Sequence, residues 1–267
     1  MIEAEIKGKL PEVENKEDVL TSSTFGMLKY ILDNTVLINI LKYAKTINGK
    51  SFYDCIDVNL KDYQAEFVFW PTLSGYGEPD LLIVFRGMDG TELQLCIEVK
   101  YYSSKSGDGE NDQLRRYFEG LDVSNTANNT TFLGIVYLTM YSSSKEMADS
   151  LDYIKSKGIN DAEERLSQLR WFEVTKALEE SDKSFLSKTE QSILSDVVGY
   201  LKHKNFVEFS GFSYQFEDFR ENNESFYETD IGYEVVEGKK EFEGFSYMTR
   251  DFDLGEYQNF YGEYCEQ

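Results

Sequence analysis

The sequence predicts an α/β fold in which a mixed central sheet carries helices on its faces. Three observations lead there. Strand-like and helix-spaced segments alternate through residues 1–210. Two apolar strand runs flank a Met-Asp-Gly turn at 88–90, and TFLGIVYLTM at 131–140 is the continuous apolar run of a buried strand.

Taken in order, Lys16–Leu32 sets Leu20, Leu28 and Ile31 at helical spacing, flanked by Phe25 and Leu32. Residues 65–73 read as a strand closed by Pro71 and Gly75. Asp80–Gly87 and Glu92–Tyr101 form a hairpin, and a helix follows over Asp112–Leu121. After the buried strand, helices near 145–157 and 188–204 frame a short strand at Leu169–Phe172.

The hairpin register follows from burial. A two-residue loop, Asp89-Gly90, would pair Met88 with Thr91 and Asp80 with Val99. A three-residue loop, Met88-Asp89-Gly90, pairs Gly87 with Thr91 and puts Gly90 in the left-handed position such a loop needs. Leu81 then faces Ile97, Ile83 faces Leu95 and Phe85 faces Leu93, while the other face pairs Arg86 with Glu92 and Asp80 with Glu98. A one-residue slip scatters the apolar groups over both faces, so the three-residue loop is expected.

Composition bounds the function. The 267 residues carry 49 Asp+Glu against 27 Lys+Arg, a net charge of −22. That balance argues against coating nucleic acid over a broad basic surface, so any such contact must rest on local positive charge. No apolar run approaches the roughly 18 residues of a membrane span, and the first residues lack a signal peptide's apolar stretch. Cys55, Cys96 and Cys265 are too few and too scattered for a disulfide framework or a four-cysteine metal site, and a reducing cytoplasm is the expected compartment. From Gly211 onward, 15 acids face 4 bases and 15 of the 40 aromatics gather among few aliphatics. The expected division is therefore a domain over 1–210 and an acidic, aromatic-rich C-terminal appendage over 211–267. The appendage reads as a solvated extension or contact surface, or else as a nucleic-acid mimic that restrains the domain.

The hairpin carries the chemistry. Side by side, Asp80 and Glu98 repel unless one takes a proton or a cation sits between them. Two carboxylates, a backbone carbonyl and waters suit the oxygen-only shell of magnesium or manganese. Lys100 lies two residues beyond Glu98, on the same strand face. Its ammonium suits an attacking water or the charge growing on a phosphate. Glu-x-Lys alone is uninformative, since it recurs at Glu5–Lys7, Glu14–Lys16 and Glu237–Lys239; only Glu98–Lys100 closes an apolar strand. The ordinary alternative is a surface salt bridge at a hairpin edge.

Pro79-Asp80, an 18-residue interval and Glu98-Val99-Lys100 together resemble the PD-(D/E)xK nuclease superfamily, the restriction-endonuclease-like phosphodiesterases. The resemblance spans roughly residues 15–205. It implies a restriction-endonuclease-like sheet flanked by helices and hydrolysis of phosphodiester bonds, most readily in DNA. It implies that Asp80 and Glu98 bind Mg2+ or Mn2+ with the Val99 carbonyl, and that Lys100 assists the attacking water. An acid in the first helix, Glu17 with Asp18 as its competitor, would complete the metal site. Gln113-Leu-Arg-Arg-Tyr117 is similar to the Gln-x-x-x-Tyr motif of exonuclease-like branches, which puts Gln113 and Tyr117 on one helix face toward the substrate strand. Lys105 and Arg116, beside a Ser/Gly-rich loop over 103–111, are the local bases expected to touch nucleic acid, with Lys100 and Arg115 nearby. Asp108, Glu110 and Asp112 partly offset them.

Other chemistries are poorly served. His203, the sole histidine, sits near a helix end between two lysines, and no phosphate-binding Gly-x-x-x-x-Gly-Lys-Ser/Thr occurs. Trp171-Phe172 reads as core. Two functions from different classes stay open: a metal-dependent nuclease, and a catalytically silent nuclease-fold module whose acidic tail contacts a partner. A protein partner or a homodimer is compatible with either.

Overall fold

The computed structural model describes residues 17–103, 105–125, 130–159 and 161–208. The appendage over 211–267 and Cys265 lie outside them. The helices are α1 (Glu17–Leu28), α2 (Thr35–Tyr43), α3 (Gln113–Asn125), α4 (Ser144–Ser156), α5 (Ala162–Arg165), α6 (Trp171–Glu179) and α7 (Lys188–His203). The strands are β1 (Lys45–Thr46), β2 (Tyr63–Phe69), β3 (Leu81–Gly87), β4 (Glu92–Val99), β5 (Thr130–Thr139) and β6 (Leu166–Arg170). They form one mixed sheet in the order β1-β6-β5-β4-β3-β2. β2, β3 and β4 make an antiparallel meander, β4, β5 and β6 run parallel, and β1 closes the far edge antiparallel to β6.

The hairpin takes the three-residue loop. Leu81 pairs with Ile97, Ile83 with Leu95, Phe85 with Leu93 and Arg86 with Glu92, and the Gly87 N–H donates to the Thr91 carbonyl at 2.9 Å. Gly90 has φ +83°, the left-handed geometry that glycine adopts without steric cost.

Burial differs from the sequence expectation on the second face. Leu82, Val84 and Cys96 alternate with the first set, and they too are buried. One core lies between the sheet and α1, α2, α6 and α7, built from Leu81, Ile83, Phe85, Leu95 and Ile97 with Phe25, Leu37, Trp171 and Val197. The other places Leu82, Val84, Cys96 and Ile135 beneath Leu114 and Phe118 of α3 and Met147 and Leu151 of α4. The sheet is thus covered on both faces, as expected where parallel strands are joined by helical crossovers. Asp80, Glu98 and Lys100 share the parity of Cys96, so they continue the α3 face beyond the strand ends.

Several boundaries shift. The strand expected at 65–73 is Tyr63–Phe69, ending before Trp70, whose φ of +48° breaks the extended path ahead of Pro71. The strand expected at Leu169–Phe172 is Leu166–Arg170, and the chain enters α6 at Trp171. Neither α2 nor α6 was anticipated. Leu32, grouped with the apolar face of the first helix, lies past its end and is 79% exposed, whereas Leu20, Phe25, Leu28 and Ile31 are buried. Trp171 is core, stacked on Phe206 at 5.3 Å between ring centroids. Among the described residues no helix is long and apolar enough to cross a membrane.

Candidate active site

The site forms where β3 begins and β4 ends, at the carboxyl edge of the parallel strands. This is where the neighbours of β4 change from an antiparallel hairpin partner to a parallel crossover partner, the usual place for a ligand in open α/β sheets. Extending the hairpin pairing by one residue brings Asp80 opposite Glu98. The Asp80 Oδ2 accepts the Val99 N–H at 2.8 Å, which fixes the carboxylate against β4. The backbone is held from both sides: the Trp70 N–H donates to the Asp80 carbonyl at 3.1 Å, and the Lys100 N–H donates to Leu138 at 2.7 Å.

Lys100 folds back over this strand end. Its Nζ donates to Glu98 Oε1 at 2.7 Å, to the Val99 carbonyl at 2.9 Å and to Glu17 Oε1 at 3.2 Å. Glu17, the first residue of α1, also accepts the Tyr101 N–H at 2.9 Å and the Ser103 hydroxyl at 3.0 Å through Oε2. Of the two acids weighed at the start of the helix, Glu17 reaches the cluster and Asp18 is exposed. The carboxylate thus clasps the chain just after the lysine as well as the lysine itself.

The electrostatics are those of a desolvated acidic pair. Asp80, Glu98 and Lys100 are 8%, 1% and 7% exposed, so charge here is not screened by water. Burial, reinforced by the neighbouring Asp80, pushes Glu98 up to about 8. Burial also raises Asp80, against the pull of the Val99 N–H and Lys100. Burial opposes the Lys100 ammonium, but Glu98, Glu17 and Asp80 outweigh it and raise the lysine. One oxygen stands out: Glu98 Oε2 is buried with no hydrogen-bond partner. An orphaned carboxylate oxygen in a core is costly unless something positive or protonated answers it.

The donor set fits a hard divalent cation in part. Asp80 Oδ1 and Glu98 Oε2 are the carboxylate oxygens not spent on Val99 N–H and Lys100, and the Val99 carbonyl lies beside them. Two carboxylates and a carbonyl, completed by water, are an acceptable magnesium or manganese shell. Both Glu17 oxygens accept hydrogen bonds, from Lys100, Tyr101 and Ser103, so in this arrangement Glu17 holds the lysine and the chain after it. Among the described residues no group of three or more His, Cys, Asp or Glu side chains is gathered closely enough to hold a metal by itself.

The helix α3 braces this end of the sheet. The Gln113 side-chain amide donates to the Tyr117 hydroxyl at 2.9 Å, and that hydroxyl donates to the Glu78 carbonyl at 2.9 Å, two residues before Asp80. The expected pair therefore meets, but Tyr117 is 2% exposed and ties α3 to the strand lead-in rather than facing outward. Burial raises its phenol to about 12, which keeps the hydroxyl a donor. Gln113 Oε1 accepts the Ser106 N–H at 3.1 Å and so also pins the following loop.

The basic residues behave differently from expectation. Lys105 spends its ammonium on Asp112 and, at 2.7 Å, on the Ser150 hydroxyl, and so fastens the loop to α4 instead of offering open charge. Asp112 is wholly buried, accepts the Ser150 hydroxyl at 2.9 Å and caps α3 by accepting the Arg115 N–H at 2.9 Å. Arg115 is paired with Glu119. Arg116 has no ion-pair partner among the described residues, and its Nε is buried without a hydrogen bond. The Asp112–Lys105–Ser150 lock was not legible in the sequence, because its members lie on three separate segments. Compared with protein-family models, curated proteins and solved structures, the chain matches none.

Proposed function

We propose that this protein is a metal-dependent nuclease with a restriction-endonuclease-like domain, hydrolysing phosphodiester bonds and acting on DNA. The observation that carries the proposal is the buried Asp80–Glu98–Lys100 cluster with its unpartnered Glu98 oxygen. Repelling carboxylates in a desolvated strand end destabilise a fold, and their presence is accounted for if a cation is to be held there. Asp80, Glu98 and the Val99 carbonyl would hold Mg2+ or Mn2+, which when bound supplies Lewis acidity and neutralises phosphate charge. Lys100 is the group that orients the attacking water or meets the developing negative charge, and Glu17 sets its position. Gln113 and Tyr117 position Asp80 through the Glu78 carbonyl.

One observation favours a second reading. The Lys100 ammonium already satisfies Glu98 Oε1 and the Val99 carbonyl, so the cluster is partly neutralised without a metal. A catalytically silent binding module would keep that arrangement.

Cleavage assays decide between them. Wild type and Lys100→Ala are incubated with linear and circular, single- and double-stranded DNA in manganese, magnesium or EDTA. The nuclease reading requires metal-dependent cutting that falls at least a hundredfold in the variant, in line with loss of a preorganised charge-stabilising group. Cutting unchanged in Lys100→Ala places the chemistry elsewhere. A folded wild type that neither cuts nor binds manganese is the module.

A further inference from the structure

A cleft of about 360 Å³ opens beside the candidate active site, and the nuclease reading leaves it unassigned. Lys100 forms part of its wall, so it is continuous with the cluster. Its other walls come from Tyr101, Tyr102 and Ser103, after β4, from Tyr137 and Thr139 through Ser143, and from Lys145 and Glu146 in the first turn of α4. The volume lies toward the small end of ligand pockets, which begin near 300 Å³.

The lining is unusual for so acidic a chain. Two large aromatic side chains, Tyr102 and Tyr141, are 66% and 69% exposed on this one cleft, and the Tyr102 ring lies against Tyr101 at 4.1 Å between centroids. The charged residues lining the cleft are Lys100, Lys145 and Glu146, and the Glu146 carboxylate accepts the buried Tyr137 hydroxyl at 2.8 Å. Lys145 is exposed. The first turn of α4 also faces this region with its cap unmade: Ser143 stands at the N-cap position without a side-chain cap bond, and its buried Oγ has no partner. Exposed aromatic rings, a lysine and an uncapped helix start are the parts that bind a base and its phosphate.

We propose that this cleft is a subsite for one unpaired nucleotide of the substrate strand, its base against Tyr102 and Tyr141 and its phosphate at Lys145 and the first turn of α4. This rests on the nuclease reading and narrows it: the strand delivered to Lys100 is single-stranded, because a base still in a duplex cannot reach the rings. Affinity comes chiefly from stacking, which explains how a chain of net charge −22 engages a polyanion.

Fluorescence anisotropy with a labelled 12-nucleotide oligo(dT), in EDTA so that nothing is cut, tests it on the full chain. The single strand binds more tightly than a blunt duplex of equal length. Tyr102→Ala and Tyr141→Ala each weaken it about fivefold or more, the low end of base–aromatic stacking, whereas the Phe variants keep it. An oligonucleotide of abasic residues binds wild type poorly. With one lysine, Lys145, at the phosphate, log Kd rises against log salt with a slope of about 0.7.

Equal binding by folded Ala variants, tighter binding of the duplex, or no loss with the abasic strand overturns the subsite; the abasic arm uses wild type and does not depend on a variant's folding. The two readings fail separately. Metal-dependent cutting with tyrosine-independent binding leaves the nuclease and removes the subsite. Tyrosine-dependent binding without cutting in any metal does the reverse.

Discussion

Lys100 and a divalent cation compete for the Val99 carbonyl. The ammonium sits on Glu98 Oε1 and on the Val99 carbonyl, and the second of these is an atom a metal would need. Lys100→Ala should therefore bind manganese at least as tightly as wild type while losing cleavage, and titration calorimetry separates the two effects. Asp80→Asn should abolish metal binding. The metal-free protein also carries a pH signature. Folded Glu98 takes up its proton near pH 8, against 4.5 for an unperturbed glutamate. The folded state then binds more protons than the unfolded chain across that interval, so unfolding free energy falls as pH rises from about 4.5 to about 8. Denaturant melts in EDTA should show this slope, and Glu98→Gln should flatten it. Of these residues, Asp80, Glu98 and Lys100 were legible in the sequence because a hairpin register places them by arithmetic. The clasp of Glu17 on the Tyr101 N–H and Ser103 was not, since it depends on where α1 docks in space.

At the scale of elements, α3 acts as a strut. Its first turn is capped by Asp112, its Tyr117 holds the Glu78 carbonyl, and Asp112 in turn is locked to Lys105 and Ser150. Removing the Tyr117 hydroxyl takes the donor from the Glu78 carbonyl and the acceptor from the Gln113 side-chain amide. Tyr117→Phe is expected to cost about 1–3 kcal/mol and to lower kcat more than it raises KM, as measured by chemical denaturation and steady-state kinetics. Strand β5 has a separate requirement. Gly134 has φ +146°, where a Cβ would lie 2.1 Å from the Arg165 carbonyl, and the β4–β5 register shifts beside it. Gly134→Ala should cost at least about 2 kcal/mol. The helices the sequence concealed have physical reasons for hiding. Thr35–Tyr43 buries Val36, Leu37, Ile38, Ile40 and Leu41; its polar Thr35, Asn39 and Lys42 keep helical spacing, but nine residues rich in β-branched side chains are too short a run to tell from a buried strand. The start of α6 lacks a Ser, Thr, Asp or Asn cap; instead, the Arg170 N–H donates to Glu173 at 2.8 Å. Trp171 and Phe172 therefore read as strand, while tertiary burial makes Trp171 the first residue of a helix.

On the scale of the molecule, the α/β class was predictable because alternating elements with a continuous apolar strand have few packed solutions. The sheet order and the burial of both faces of β3 were not, because a run of apolar residues does not say whether one face or two will be covered. The core closes late in the chain: Phe206 is 1% exposed, stacks on Trp171 and meets Tyr101 edge-on at 5.6 Å, next to Lys100. Phe206→Ala is therefore expected to destabilise the domain by about 3–5 kcal/mol, visible as a lowered Tm. Truncation after residue 210 retains that closure, so it should leave the unfolding midpoint within a few degrees of the full chain.

The bond from the Val99 amide to Asp80 gives the protein a spectroscopic voice. Here a peptide N–H is aimed at a carboxylate rather than at another strand, so its nitrogen and proton frequencies register whatever that carboxylate holds. Titrating manganese's diamagnetic counterpart, magnesium, into 15N-labelled protein should move the Val99 resonance early and far, while amides on the distant β1–β6 edge stay put. A single backbone signal would thus report occupancy at the centre of the sheet without any substrate being turned over.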